Sequence, residues 1–417
     1  MSRSKGYWIK TLSKFVSVQL VVQALGFGSG ILLVRTLSKE EYALFILANS
    51  MQGMMNVLAD SGVSSALSSI GGKVWQDPYR FGQLINTAMQ WRRYLAAIAV
   101  VIVTPILFWM LIQNGASVGY AIVIIAGVLI ELDFYLRISV QSTVLRLNSQ
   151  IDRIQWLDLL GAGSRVSLLG ASFLFLSAGV GVLTSTITSG IQTLVLKRWI
   201  KSTINPDAPI NKEDQRSIRK LVNSQLPSTI FFCLQGQSTI WLISIFGSTQ
   251  NIAEVGALSR LSVLFTIIMS TMTSIVLPSF SRSQSFDLLV KRYWQILVAC
   301  LIFSISLVLV SLFFSGELLW ILGSQYANLK NEIILIVISS SVNSFAAILW
   351  SINSSRGWMN LAWLFPPVII FSQIFLLFFL DISSVQGVIL FNTFSIIPAS
   401  FINFFMTYKG FKELAEI

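Results

Sequence analysis

Residues 197–220, KRWIKSTINPDAPINKEDQRSIRK, form the largest polar stretch of the chain. Seven of them are basic (Lys197, Arg198, Lys201, Lys212, Arg216, Arg219 and Lys220), and Asn205-Pro206-Asp207 with Pro209 stops any helix that enters. On each flank lie six long apolar stretches. Asked for roughly 20 apolar residues per crossing, they fall near 15–34, 43–66, 94–113, 117–136, 156–176 and 179–196 before the polar stretch. After it they fall near 226–246, 255–277, 294–314, 333–352, 361–380 and 385–407. In hydrocarbon every backbone N–H and C=O must be satisfied within its own segment, and these segments are too long and too evenly apolar for barrel strands. The expected fold is therefore all-α: a polytopic membrane protein of about 12 transmembrane helices. Its organisation is an N-terminal six-helix lobe (1–200), a cytoplasmic linker (201–220) and a C-terminal six-helix lobe (221–417).

The bases repeat this division. Of 29 Lys and Arg, 24 fall at the termini and in every second gap: Arg3, Lys5, Lys10 and Lys14; Lys73, Arg80, Arg92 and Arg93; Arg137, Arg146 and Arg153; the seven of the central stretch; Arg282, Lys291 and Arg292; Arg356; Lys409 and Lys412. The alternate gaps hold Arg35, Lys39 and Lys330. Basic loops stay inside, so both termini are expected to be cytoplasmic in a bacterial inner membrane. With 54% hydrophobic and 11% charged residues, the chain cannot present a polar surface to water. The net charge of +11 does not point to nucleic acid, because the bases flank apolar spans instead of sharing a polar face. Cys233 and Cys300 both lie in apolar spans, which suggests neither disulfide nor metal. The basic stretch Met1 to Lys14 runs into a segment too long for a signal-peptide core, so the first span is expected to remain.

A faint internal repeat accompanies the six-plus-six division: Glu41-Tyr42-Ala43-Leu44-Phe45 opens the second span and Glu254-Val255-Gly256-Ala257-Leu258 the eighth, each after a short outward turn. The first half carries Val34-Arg35-Thr36-Leu37-Ser38-Lys39-Glu40-Glu41-Tyr42-Ala43-Leu44-Phe45, then Asp60-Ser61-Gly62-Val63. This resembles the R-x-L-G-x-E-x-Y-G-L turn and D-x-G of bacterial polysaccharide exporters that flip lipid-linked O-antigen repeat units, within the multidrug/oligosaccharidyl-lipid/polysaccharide exporter superfamily. Leu258-Ser259-Arg260-Leu261 and Leu277-Pro278-Ser279-Phe280 resemble a second family pattern. Ser38 and Ala43 replace customary glycines, and Ala257 a customary aromatic.

The resemblance implies a two-lobed, V-shaped transporter that moves an undecaprenyl-pyrophosphate-linked oligosaccharide of O-antigen, capsule or exopolysaccharide to the periplasmic leaflet by alternating access. It implies membrane lipids, a polysaccharide polymerase and a chain-length regulator as partners, no cofactor, and a proton or sodium gradient as the drive. Such a cargo requires a wet cavity between lobes, cationic for the pyrophosphate, while its tail stays in lipid.

Two bases lie within spans. Arg165 sits among small residues in Gly161-Ala162-Gly163-Ser164-Arg165-Val166-Ser167, and Arg260 stands just inside the eighth span. A charge at such depth costs about 2.5–3.5 kcal/mol on insertion scales and faces protein or water. Guanidinium can grip phosphate with two parallel bonds, so both are substrate-binding candidates, with Arg35 at the end of the first span as a third. The structural alternatives are pairs with Asp158 for Arg165 and Glu254 for Arg260, and an interfacial anchor for Arg35. Asp60, Asp133 and Asp158 are candidates for cation coupling, although Arg137 stands four residues after Asp133, the spacing of an ordinary helix pair. Glu131 lies in the same span end as Asp133. Gln235, Gln237, Asn343 and Asn353 offer amides that suit sugar hydroxyls and equally suit bonds between helices. Prolines 105, 227, 278, 366, 367 and 398 sit in or beside spans, where they can kink helices as hinges or as fixed bends.

No P-loop, His/Cys ligand cluster or Ser/His/Asp set is present in the sequence, which excludes recognisable nucleotide hydrolysis and group transfer, so no enzyme is expected. A polysaccharide polymerase would carry a large outward loop, whereas the longest outward gap, near 315–332, is short. A multidrug or organic-ion antiporter of the same fold would want an acidic cavity. A membrane scaffold would pair all its internal charges and leave no cavity.

Overall fold

The computed structural model describes residues 5–201, 203–263 and 285–415, together with 265, 266, 269, 272, 276, 277 and 280. Among these residues every regular element is helical. In chain order the α-helices are α1 Lys5–Thr36, α2 Lys39–Asp60, α3 Val63–Val74, α4 Pro78–Gln113, α5 Val118–Leu147, α6 Ile151–Ala171, α7 Ala178–Ile200 and α8 Lys212–Phe246. They continue with α9 Thr249–Ser259, α10 Phe286–Phe313, α11 Ser315–Leu322, α12 Lys330–Arg356, α13 Phe365–Leu376 and α14 Val385–Ala415. Seven of the described helices are long and apolar enough to cross a membrane, α4 and α10 the most apolar of them. The chain is a multi-pass membrane protein.

Local chemistry sets many helix starts. A serine side chain accepts from a backbone N–H of the first turn at Ser38 (from Glu41, 3.2 Å), Ser117 (from Tyr120, 3.3 Å), Ser177 (from Val180, 3.3 Å) and Ser248 (from Asn251, 3.2 Å). Asp77 does the same for α4, accepting from Tyr79 and Arg80, and Pro78 supplies the first helical residue, whose missing N–H costs nothing there.

The expected second span, 43–66, is broken. After α2 the chain passes through Ser61 (φ +23) and Gly62 (φ +93), a left-handed pair that ends one helix and starts another. Gly62 is required twice over: its φ suits only glycine, and a Cβ would lie 2.9 Å from Oε1 of Gln225. Asp60 stabilises the break, accepting from Ser64 N at 3.0 Å and from Arg92 Nη2 at 2.5 Å. Arg92, expected in a cytoplasmic loop, is instead inside α4, with its side chain 1% exposed and also bonded to Ser64 Oγ at 2.7 Å. The charge pattern misplaced it because Arg92-Arg93 reads as a helix flank, whereas α4 begins fourteen residues earlier and continues through it.

Other departures are similar. The eighth span, expected at 255–277, begins as α9 and a 3-10 turn, Arg260–Ser262, and its further described residues are helical; Pro278 and Ser279 of the motif lie outside the described residues. The eleventh, expected at 361–380, forms only a 3-10 turn, Ala362–Leu364, and the twelve-residue α13 with Pro366 and Pro367 in its first turn. The polar gap near 315–332 contains α11.

The chain divides into two compact units, 1–237 and 238–417. The division falls within α8, beyond the polar stretch from which the sequence suggests a linker. In the first unit α5 packs along α7, α2 along α4 and α1 along α6. One apolar core there gathers Val63, Leu67, Phe81, Leu84, Val140 and Leu196. The segment between α7 and α8 is fastened to α4: Asn86 donates to the carbonyls of Pro206 (2.9 Å) and Ala208 (2.8 Å), Pro78 O accepts from Asn205 N (3.0 Å), and Arg80 grips buried Asp214 with both terminal nitrogens. In the second unit α12 packs along α14 and α13 on α14. Its core centres on Tyr293, Trp358 and Phe411, whose rings meet edge to face.

Removing Asp60 strands a guanidinium whose Nε and Nη1 find no acceptor among the described residues. Asp60→Ala is expected to lower stability by about 1–3 kcal/mol, because Arg92 is buried although Asp60 itself is 37% exposed. Asp133→Ala, which breaks the half-exposed bridge to Arg137, is expected to cost less than about 1 kcal/mol. Thermal unfolding of the purified variants in one detergent checks the ranking, and equal melting temperatures would refute it.

Candidate functional site: a charged chamber in the first unit

Helices α1, α5, α6 and α7 line an open-mouthed chamber of about 430 Å³ with charged and polar residues on its walls. Glu131 enters from α5, Asp158 and Arg165 from α6, Gln19 and Gln23 from α1, and Ser185, Thr188, Ser189 and Gln192 from α7. The local sequence explains the space. Along α6, positions 158, 161, 162 and 165 share one face by helical spacing, and Gly161 and Ala162 leave room between the two charges. Gly161 is needed by its neighbour: a Cβ there would fall 2.2 Å from Nε2 of Gln192, which donates to Leu157 O at 2.9 Å. Small and hydroxyl residues on α7 bond back to their own helix, as Thr184 does to Gly181 O (2.8 Å) and Thr193 to Ser189 O (2.8 Å), which permits close packing.

The chamber joins two expected site residues, Arg165 and Asp158, and adds Glu131. The charge of Arg165 acts on Glu131 across the helix interface, while that of Arg146 acts on Asp158. Gln52, buried on α2, also acts on the Glu131 carboxylate. Buried polar atoms of the lining, Glu131 Oε2 and Thr188 Oγ1 among them, have no hydrogen-bond partner among the described residues. One guanidinium and two carboxylates give a formal charge of −1 when all are ionised. Chemically, such a set holds an exchangeable cation between carboxylates or, with one carboxylate neutralised, presents a guanidinium to an anion.

The remaining candidates lie elsewhere. Asp60 caps the α2–α3 break and pairs with Arg92. Asp133 is bridged by Arg137 one turn on, Nε to Oδ2 at 2.8 Å. Arg35 is exposed at the end of α1. In the second unit Arg260 opens the 3-10 turn after α9, partly buried. Gln237 accepts a hydrogen bond from Ser50, and Gln235 is half-buried two residues earlier on α8. Asn343 donates to Ser339 O of its own helix at 2.9 Å. Asn353 is fully buried between α12 and α14, donating to Asn403 O at 2.9 Å and accepting from Thr407 at 2.8 Å.

The motif that carries the resemblance has a structural use here. Glu41 spans three elements: its Oε2 accepts from Tyr120 Oη at 2.7 Å and from Ala178 N at 2.6 Å, and Tyr120 Oη accepts in turn from Gly179 N at 3.0 Å. A carboxylate thereby caps the start of α7, where the helix dipole favours negative charge.

No family model matches the sequence, and no curated protein does. Solved structures match over nearly the whole length. The lipid II flippase MurJ, in an inward closed conformation, aligns with a TM-score of 0.75 at 14% identity over 96% of this chain and 89% of that one. At this identity the likeness shows a shared fold. An inward-facing multidrug resistance MATE family transporter of the MOP superfamily aligns at 0.71 and 14% identity, over 96% of this chain and 99% of that one. A MOP superfamily transporter from Pyrococcus furiosus, whose reversed binding-pocket polarity suggests a different function, aligns at 0.64 and 13%, over 97% and 95%.

Of the charged lining residues, Glu131 stood out in the sequence only as a neighbour of Asp133, and the lining residues of α1 and α7 did not stand out there. The signal for Glu131 was present: Arg137 accounts for Asp133, whereas the residues four before and four after Glu131 are Gly127 and Tyr135, neither of them a base. With Cys233 and Cys300 replaced by serine, Asp158→Cys and Ser189→Cys are expected to react with a membrane-impermeant thiol reagent in detergent. Leu169→Cys, fully buried on α6, is expected to resist it. Protection of both chamber cysteines would show that water does not reach the chamber.

Proposed function

We propose that this protein is a secondary transporter of the bacterial inner membrane, with cytoplasmic termini, that flips an undecaprenyl-pyrophosphate-linked oligosaccharide repeat unit to the periplasmic leaflet. The observation that carries the reading is the charged chamber inside an apolar bundle of the MOP fold. Intramembrane charge of this kind is costly and is kept where ions or charged substrates move. The motif resemblance around Val34–Phe45 and the fold shared with a lipid II flippase favour a lipid-linked cargo.

In this reading Arg165 alternates between two anions. With Glu131 ionised, the carboxylate holds the guanidinium. When a proton or sodium ion neutralises Glu131, the guanidinium is released to the pyrophosphate or to an acidic sugar, so cation entry and substrate grip are linked. Arg260 provides the corresponding contact in the second unit. A second reading, an antiporter of organic cations, draws on the excess of carboxylate over guanidinium in the chamber.

In a strain lacking its own repeat-unit flippase, the wild-type gene is expected to restore surface polysaccharide, and Arg165→Ala or Arg260→Ala to abolish it at unchanged membrane levels. Arg165→Lys keeps the charge and loses the two-pronged geometry. Losing one charge-assisted hydrogen bond, worth about 1.5–3 kcal/mol, corresponds to roughly ten- to hundredfold weaker substrate grip. Glu131→Gln is expected to leave display insensitive to collapse of the ion gradient. Organic-cation resistance without any restored polysaccharide would decide for the antiporter.

A further inference from the structure

A second pocket lies in the first unit, away from the chamber. It measures about 680 Å³ and sits where α4, α5 and α7 meet the segment that leads to α8. Four bases line it: Arg93, Arg137, Lys197 and Lys201. Asp133 neutralises Arg137, whereas no ion pair neutralises Arg93, Lys197 or Lys201 among the described residues. The remaining wall is largely apolar, with Ile85, Ile200 and Ile204 as its packed floor and Ile210, 45% exposed, at its rim. The carbonyl oxygen of Gln141, which also lines the pocket, is buried without a hydrogen-bond donor among the described residues.

The pocket is held open. Asn86 fixes the 206–208 segment from α4 through both carbonyls noted above, and Asn211 N donates to Thr87 Oγ1 at 3.1 Å. Trp199 lies alongside with Arg153 stacked 5.8 Å from its ring, an arrangement typical of the membrane–water boundary. Cationic rim, apolar floor and interfacial depth occur together in a single cleft. A soluble phosphate would use the first and leave the exposed Ile210 at the rim uncovered.

We propose that this pocket binds an anionic glycerophospholipid of the cytoplasmic leaflet. Its phosphate is held by Arg93, Lys197 and Lys201, one acyl chain lies on the isoleucine floor, and a headgroup hydroxyl donates to Gln141. The lipid braces the segment joining α7 to α8 against α4. The site is separate from the chamber, and the proposal stands whatever cargo the chamber serves.

The test is native mass spectrometry of the full-length protein given an equimolar mixture of phosphatidylglycerol and phosphatidylethanolamine with matched chains. The wild type is expected to retain phosphatidylglycerol preferentially. In Arg93→Gln/Lys197→Gln/Lys201→Gln its occupancy is expected to fall about fivefold per base, on the order of a hundredfold together. A control of equal charge loss, Lys212→Gln/Arg216→Gln/Arg219→Gln, is expected to keep the preference. Lys197→Gln/Lys201→Gln alters only exposed side chains and provides the same reading if the triple variant does not fold. Equal loss in pocket and control variants, or no loss in either, overturns the proposal. So does displacement of the lipid by millimolar glycerol 3-phosphate, which would make this a site for free phosphate.

Discussion

A charged side chain within hydrocarbon must find a partner, water or the interface, and this constraint organises the first unit. Arg92 reaches across from α4 to Asp60 and Ser64 and so fixes the point at which α2 ends and α3 begins. Glu41 reaches from α2 to Tyr120 on α5 and to the first amide of α7. The field of Arg165 on α6 falls on Glu131 of α5. Each of these ties joins helices that are distant in sequence, and in a membrane, where lipid tails solvate leucine as well as another helix does, such polar ties specify which faces meet.

The same constraint separates structural charge from functional charge. Arg92 is packed to 1% exposure with its carboxylate in contact, and Arg137 pairs with Asp133 one turn away; both have local explanations. Arg165, Glu131 and Asp158 differ because small residues hold a space open around them, lined by amides and hydroxyls. A space of this kind within an apolar bundle forfeits packing, and here Glu131 Oε2 and Thr188 Oγ1 have no hydrogen-bond partner among the described residues. The turn motif that prompted the family resemblance belongs with the structural charges. Its glutamate caps a helix and its serine another, so the motif speaks for the fold, and the chamber bears on the chemistry.

Much of the fold was legible because hydropathy and capping act over short distances. Most spans were placed correctly, and the starts of α4, α5, α7 and α9 can be read from Asp77-Pro78, Ser117, Ser177 and Ser248. Less legible was anything that depends on a neighbour. Apolar residues lie on both sides of Asp60-Ser61-Gly62, so a span-length window runs across the break, and it holds because Arg92 of α4 meets Asp60 and Gln225 of α8 packs against Gly62. Arg92 resembles its exposed neighbour Arg93 in every local respect. Asn353 could be read as a sugar ligand until Asn403 and Thr407 were seen to consume its bonds.

Composition, span length and the alternation of bases thus require an all-helical protein threaded repeatedly through a membrane, because backbone satisfaction in lipid admits no other use of such segments. Those properties are additive along the chain and need no tertiary information. Whether a buried charge is a strut or part of a site is not additive. It depends on what stands opposite, a few ångströms away and up to tens of residues distant in sequence. Packing placed Asp60 against Arg92 and left Glu131, Asp158 and Arg165 around a shared space, and that distribution of partners is what distinguishes scaffold from chamber.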